Sequence, residues 1–248
     1  MIYKKSPEEI ATMRRGGAIL GAALDRLEAL IAPGVTTAEL DRVFEEHVTA
    51  EGGTPSFKGY RGFPASICAS PNEVIVHGIP NGRNLNEGDI VSIDVGVFYE
   101  GFHTDTAWTF AVGAIAPAAA HLLEVTEASL EAAIDHCRPG IRLGTVGHAV
   151  EEVASAAGFS IVREYAGHGV GRSLHEEPWI PNYGPAGRRE VLSPGMTFAI
   201  EPMVNLGGPE TRVLDDDWTV VTADGSLSAH FEHTVVVTDD GPEILTRR

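Results

Sequence analysis

Apolar positions along the chain alternate between two spacings. From Ser6 onward, Ile10, Met13, Gly17, Leu20, Ala23, Leu24, Leu27 and Ile31 recur at helical spacing. Ser6 with Glu9 three residues later has the form of a capping box, and Pro33-Gly34 is the expected stop. Thr37 to Ala50 reads as a second helix with Leu40, Val43, Phe44 and Val48 inward. The pattern then turns to short runs of Val, Ile, Thr and Phe bounded by Gly, Asn and Pro, which predicts strands. The same succession returns later, with helices expected over roughly 118–137 and 143–157 and strands after them.

The succession is echoed residue by residue. Pro33-Gly34-Val35, Glu45-Glu46, Ala50 and Gly52 reappear at a constant offset as Pro139-Gly140-Ile141, Glu151-Glu152, Ala156 and Gly158. Leu85, Gly88, Ile93 and Asp94 reappear one residue further on as Leu192, Gly195, Ile200 and Glu201. Such ordered matches point to a duplication, with two α+β halves facing each other across one continuous sheet. No linker separates them, so a single domain over 1–248 is expected, with halves of about 1–113 and 114–248.

Composition narrows the class. Of 248 residues, 43% are hydrophobic, enough for a packed core rather than a disordered chain. No apolar run reaches the ~18 residues of a membrane span, and the opening residues carry alternating charge instead of a secretory core. Cys68 and Cys137 form no CxxC pair, so a thiolate zinc site is unsupported and two reduced thiols in a cytoplasm are expected. A formal net charge of −17 argues against a nucleic-acid partner held by bulk charge. It suits a metal, a cationic ligand or a peptide amino terminus.

The chemistry begins with carboxylates in apolar company. In residues 91–110, Val91, Ile93, Val95 and Val97 alternate with Ser92, Asp94 and Gly96. Glu100-Gly101 marks a turn, and Thr104 to Phe110 returns as a strand. With an even-numbered loop, Asp94 and Asp105 share a face, opposite or diagonal. Like charges so placed repel, and burying an ionised carboxylate without a partner costs several kcal/mol. A cation between them removes both problems. Glu201 in FAIEPMV and Glu232 in SAHFEHTVVVT repeat the arrangement, and Glu201 is the duplicated counterpart of Asp94. Oxygen-rich ligation of this kind suits Mn, Fe(II), Co or Zn, and bridging carboxylates allow a metal pair.

Three histidines sit in tight Gly- or Pro-flanked contexts: His77 in VHGIP, His168 in GHGVG and His175 in LHEEP. His47, His121, His136 and His148 fall on predicted helices and read as structural, while His103, His230 and His233 stay open. GxSxG and HExxH are both absent, and GHGVGR is not a GxGxxG loop.

At NEVIVHGIP, IDVGVFYEGFHTDTAWTF, GHGVGRSLHEEP, FAIEPMV and SAHFEHTVVVT the chain resembles the type I methionine aminopeptidases of peptidase family M24, in their short bacterial form. The resemblance implies the α+β pita-bread fold, two pseudo-twofold-related halves around a curved antiparallel sheet. It implies five metal ligands, Asp94, Asp105, His168, Glu201 and Glu232, with Asp105 and Glu232 bridging two divalent ions (Co, Mn, Fe or Zn). Catalytic roles fall on His77, at the scissile amide, on His175, at the carbonyl oxygen, and on Glu201, the proton shuttle of a metal-activated water. The methionine pocket is expected from Tyr60, Phe63, Cys68, Leu174 and Trp218, with Phe57 readable as plain core.

The implied activity is removal of the initiator methionine from nascent proteins, with a small second residue preferred. A cytoplasmic monomer is expected, with no membrane and no stable nucleic-acid partner. A transient ribosome contact would draw on Lys4, Lys5, Arg14 and Arg15, the only dense cations. Departures from the resemblance stand at Leu174, where phenylalanine is common, and Phe63, where tyrosine is common. Ser92 replaces an expected asparagine and His230 an expected glutamine. The competing readings are a proline-directed peptidase of the same fold, a non-catalytic binding protein of that fold, and a two-metal phosphoesterase. The last lacks any Arg or Lys cluster near the motifs.

Overall fold

The computed structural model describes residues 2–248. Helix α1 (Pro7–Glu28) starts on the anticipated capping box: Ser6 Oγ accepts from the Glu9 amide and Glu9 returns a carboxylate to the Ser6 amide. It stops before Pro33-Gly34, because the amides of Leu30 and Ile31 turn back to the Leu27 carbonyl and close a final tight turn. Ile31 therefore packs on the core from outside the helix. Helix α2 (Thr37–Ala50) has the expected bounds and is capped by Thr36. In the second half α3 (Pro117–Asp135) and α4 (Leu143–Ala156) repeat the pair.

Each helix pair precedes its strands. After α2 come β1 (Thr54–Pro55), β2 (Ile67–Pro71), β3 (Val74–Val76), β4 (Ile90–Tyr99) and β5 (Phe102–Ala111). After α4 come β6 (Ser160–Ile161), β7 (Gly167–Gly169), β8 (Glu176–Ile180), β9 (Thr197–Ile200) and β10 (Met203–Asn205). The chain ends with β11 (Thr211–Val213), β12 (Val220–Thr222), β13 (Ser228–His230), β14 (Glu232–Thr238) and β15 (Gly241–Ile244). Nine strands form one antiparallel sheet in the order β1-β4-β5-β14-β9-β7-β8, with β2 also on β4 and β15 also on β14. The two halves meet where β5 pairs β14, Thr106 opposite His233 and Ala107 opposite Glu232. This curved sheet with helices behind it is the pita-bread architecture.

Alternation along β4 sorts its side chains. Val91, Ile93, Val95 and Val97 pack with Leu20, Leu24, Leu40 and Phe44 of α1 and α2. Asp94 takes the opposite face. Phe198, Ile200 and Val235 pack with Leu122, Val146 and Val150 of α3 and α4 in the same manner. The helices thus back the sheet, and its other face is left for the site. The hairpin between β4 and β5 turns on Glu100 and Gly101, both at positive φ (47° and 93°), as a two-residue turn requires.

Helix α1 is also clamped to residues 245–247. A Cβ at Gly17 would lie 2.0 Å from the Leu245 carbonyl oxygen, and one at Gly21 would lie 2.6 Å from that of Arg247. Gly17→Ala gains about 1 kcal/mol of helix propensity, but backbone cannot yield as a side chain does. A net loss of about 2 kcal/mol is expected, read as a lower urea midpoint at unchanged slope; an unmoved midpoint would refute the tight seam.

The cations of the opening segment mostly pair within the chain. Lys5 is buried and its ammonium sits 2.6 Å from Glu176, while Arg14 pairs with Glu243 and Arg15 with Glu100. Of the four cations named from the sequence, Lys5 is buried, Lys4 is exposed, and Arg14 and Arg15 form surface pairs that leave their side chains about half exposed.

Candidate metal centre and substrate cavity

Asp94, Asp105, His168, Glu201 and Glu232 all line one cavity of about 270 Å³. The register explains how. Asp94 stands opposite Ala107, and Ala107 stands opposite Glu232, so one short side chain separates two carboxylates in a row across three strands. Asp105 lies opposite Gly96, diagonal to Asp94 on the same face. His168 lies opposite Ala199 on β9. Glu201 stands one residue beyond β9 rather than inside a strand, because Pro202 has no amide to continue the ladder. Asn182 holds its carbonyl at 2.9 Å.

These groups fit a divalent cation. Asp94 Oδ1, Asp105 Oδ1 and Glu232 Oε1 are buried without a hydrogen-bond partner in the protein. Asp105, His168 and Glu232 can each offer a ligand atom within 4.8 Å of the others. His168 Nε2 lies 3.5 Å from Glu201 Oε1 and 3.9 Å from Asp105 Oδ2. Its Nδ1–H donates to the Gly169 carbonyl at 2.8 Å, which leaves the Nε2 lone pair for the cavity. Burial holds His168 down to about 4, so it is a neutral donor. Burial likewise pushes all four carboxyls up, Asp94 to about 7. Charge from Asp94 adds to the rise at Asp105, and charges from Asp105 and Asp94 add to it at Glu201. Unpartnered oxygens and mutually repelling carboxylates around a neutral imidazole call for a cation.

The rest of the cavity is apolar. Phe57, Phe63, Cys68 and Leu174 are buried in one cluster with Tyr60 and Trp218 against it, so Phe57 lines the cavity as well as the core. Phe63 meets Trp218 edge to face at 5.1 Å. Burial drives the Cys68 thiol well above its ordinary range, so it stays an uncharged thiol. His77 takes a left-handed backbone (φ 58°) that turns its ring into the cavity, with Tyr165 and Trp218 edge-on to it. Burial holds it at about 4. His175 stands at the rim, its ring 4.1 Å from that of His168 and its Nδ1 3.0 Å from the Tyr60 hydroxyl.

The histidines left open by sequence separate clearly. His233 faces away from the carboxylates, its Nδ1 2.9 Å from Thr246 Oγ1. His103 bonds Ser56 Oγ at 2.9 Å. His230 is buried, with Nε2 3.7 Å from Glu201 Oε2. Two of the departures share one hydrogen-bond chain: Ser92 Oγ lies 2.8 Å from Thr109 Oγ1, which donates to the His230 carbonyl and accepts from its amide. Sequence reasoning did not single out Arg61, Val76, Tyr165, Ala166, Trp179 or Met203, which also line the cavity. Val76, directly before His77, Ala166 and Tyr165, two and three residues before His168, and Met203, two past Glu201, lie close enough to the motifs to have been found.

A sheet shared by two half-chains, with carboxylates and a histidine converging at their seam, is the arrangement of a metallopeptidase. The sequence matches metallopeptidase family M24 over residues 11–239, and the chain belongs to that family. Within it the chain groups with the methionine aminopeptidases. It is 50% identical to methionine aminopeptidase 1 of Bacillus subtilis, covering 100% of each, and 48% identical to methionine aminopeptidase of Escherichia coli over 98% of this chain and 93% of that one. The methionine aminopeptidase structure from Thermotoga maritima superposes with a TM-score of 0.99 at 46% identity, covering 100% of each chain. A prolidase from Pyrococcus furiosus has the same fold at 23% identity and a TM-score of 0.80, with this chain spanning 65% of its length.

Proposed function

We propose that the chain hydrolyses the first peptide bond of polypeptides that begin with methionine and carry a small second residue. The observation behind this reading is the pairing of a carboxylate-rich, cation-hungry centre with an adjoining aromatic pocket in one cavity. Asp94, Asp105, His168, Glu201 and Glu232 would hold two divalent metal ions, with Mn, Co, Fe(II) or Zn compatible with the donor set. When bound, the metal supplies Lewis acidity toward a carbonyl oxygen and lowers the pKa of water.

The side chains divide the remaining work. Glu201 is placed to take a proton from the attacking water and return it to the leaving amine. His77, neutral because buried, can offer its N–H to the scissile amide. If the Tyr60 hydroxyl donates to His175 Nδ1, the proton of His175 resides on Nε2, where it can meet the carbonyl oxygen as negative charge develops there. Phe63, Cys68, Leu174, Tyr60 and Trp218 form an apolar wall suited to an unbranched thioether. We read the whole chain as a single catalytic unit, with halves of about 1–113 and 114–248, acting as a cytoplasmic monomer on nascent amino termini. A transient ribosome contact would draw on Lys4, Arg14 and Arg15, whose side chains reach the surface, rather than on the buried Lys5.

The test is a peptide panel with Mn, Co or Fe(II) added. Met-Ala-Ser should be cleaved, while Met-Lys-Ser, Leu-Ala-Ser and Ala-Pro-Ser should be cleaved at least about 10-fold more slowly, the discrimination that one misfitted side chain produces. Preferential cleavage of Ala-Pro-Ser would move the chain to the proline-directed branch. Cleavage of none would overturn the hydrolase reading.

A further inference from the structure

Charged pairs are rarely buried in full, because desolvation offsets most of their attraction. Lys5 and Glu176 form such a pair, with side chains only 4% and 6% exposed and 2.6 Å between Nζ and Oε2. Replacing both by apolar residues would keep the packing without that cost, so the pair needs another reason to be there.

Its position supplies one. Glu176 follows directly on Leu174 and His175, and its second carboxylate oxygen accepts from the Ser173 amide at 3.2 Å. Lys5 is held independently, its amide donating to the Gly195 carbonyl at 2.7 Å. Gly171 and Gly195 give it room: a Cβ at Gly171 would fall 2.3 Å from Lys5 Cε, and one at Gly195 would fall 2.8 Å from the Lys5 carbonyl oxygen. The same stretch is tied twice more. Arg172 pairs with Glu9 at the start of α1 while lying over the Phe102 ring, and the His103 amide donates to the Gly171 carbonyl at 2.6 Å. Residues 171–175 lie between β7 and β8 outside any helix or strand, and they are held by Lys5, by Glu9 in the first turn of α1 and by the start of β5.

We infer that Lys5 is a positioning residue: its buried ion pair with Glu176 fixes the turn that presents Leu174 to the pocket and His175 to the substrate carbonyl. The inference rests on the role given above to His175. Lys5 reaches no substrate. It acts by holding the imidazole in register with the centre, where a misplacement of about 1 Å costs on the order of 100-fold in rate.

The test separates positioning from mere stability. Lys5→Met alone leaves Glu176 buried and unpaired, so it lowers the melting temperature and confounds the kinetics. The double variant Lys5→Met/Glu176→Gln removes both charges and keeps an acceptor for Ser173. It should melt near wild type and bind Mn with unchanged stoichiometry by calorimetry. Its kcat on Met-Ala-Ser should nonetheless fall about 10- to 100-fold, and in a His175→Ala background the same double change should lower kcat less than about twofold. A double variant that recovers both its melting temperature and its kcat would show the pair to be structural only and overturn the inference. A His175→Ala variant with full activity would instead overturn the role of His175, and the inference with it.

Discussion

Stripping the protein with a chelator is expected to bring release of methionine from Met-Ala-Ser to background, and added Mn, Co or Fe(II) to restore it. The same treatment should leave a distinctive mark on stability. Burial raises the folded-state pKa of Asp94 to about 7 and lifts Asp105, Glu201 and Glu232 well above the usual carboxylate range. A carboxyl whose folded pKa exceeds its unfolded value binds more protons in the fold. Its contribution is fully present below the unfolded pKa and is lost as pH rises through the folded one. The buried histidines, His77 and His168 at about 4 and His230 at about 3, act in the opposite sense below about pH 6.5. The melting temperature of metal-free protein should therefore fall with rising pH over the range above that, about pH 6.5 to pH 8. Metal bound to the ionised carboxylates removes their mutual repulsion, so the gap between loaded and stripped protein should be widest at the alkaline end. A stripped protein whose melting temperature is flat with pH and indifferent to metal would contradict the assignment of these carboxylates as a cation site.

Glu201→Gln is expected to lower kcat by about 10²- to 10⁴-fold, the usual worth of a positioned proton carrier, while the circular dichroism spectrum and melting temperature stay close to wild type. The amide is nearly isosteric, and the strand end that carries it is fixed through its backbone by Asn182. In the metal-free protein Gln removes one of the repelling carboxyls, so a slight rise in melting temperature is the expected direction. Because Glu201 also stands among the expected metal ligands, metal content must be measured on the same sample. Loss of turnover with metal retained identifies the proton carrier, loss of both identifies a ligand alone, and retained turnover removes Glu201 from the mechanism.

Much of this was legible in the sequence, for physical reasons. Helix α2 was readable to its bounds because Leu40, Val43, Phe44 and Val48 keep helical spacing and all are buried. The hairpin was readable because period-two alternation from Val91 to Val97 leads to a turn signal at Glu100-Gly101. That Asp94 and Asp105 share a face followed from the parity of that turn, while the register in the structure makes them diagonal rather than opposite. Other features depend on contacts that no local pattern encodes. Helix α1 stops short of its Pro-Gly signal because its last turn tightens on Leu27, and Lys5 is buried because a glutamate 171 residues away needs it. Cavity residues such as Trp179 and Arg61 carry no motif of their own, being brought to the rim by β8 and by a left-handed turn.

The seam between α1 and residues 245–247 bears on how the molecule is made. Synthesis is vectorial, and α1 leaves the ribosome before any of the strands described above. The groove formed by Gly17 and Gly21 can be filled only by backbone translated after every other strand. Until then the first half-chain exposes part of its packing surface, and Glu232, on the penultimate strand, has not joined the other carboxylates. A chain not yet translated through β14 therefore lacks one of the carboxylates of the centre, and one not yet translated through residues 245–247 lacks the backbone that closes the seam on α1.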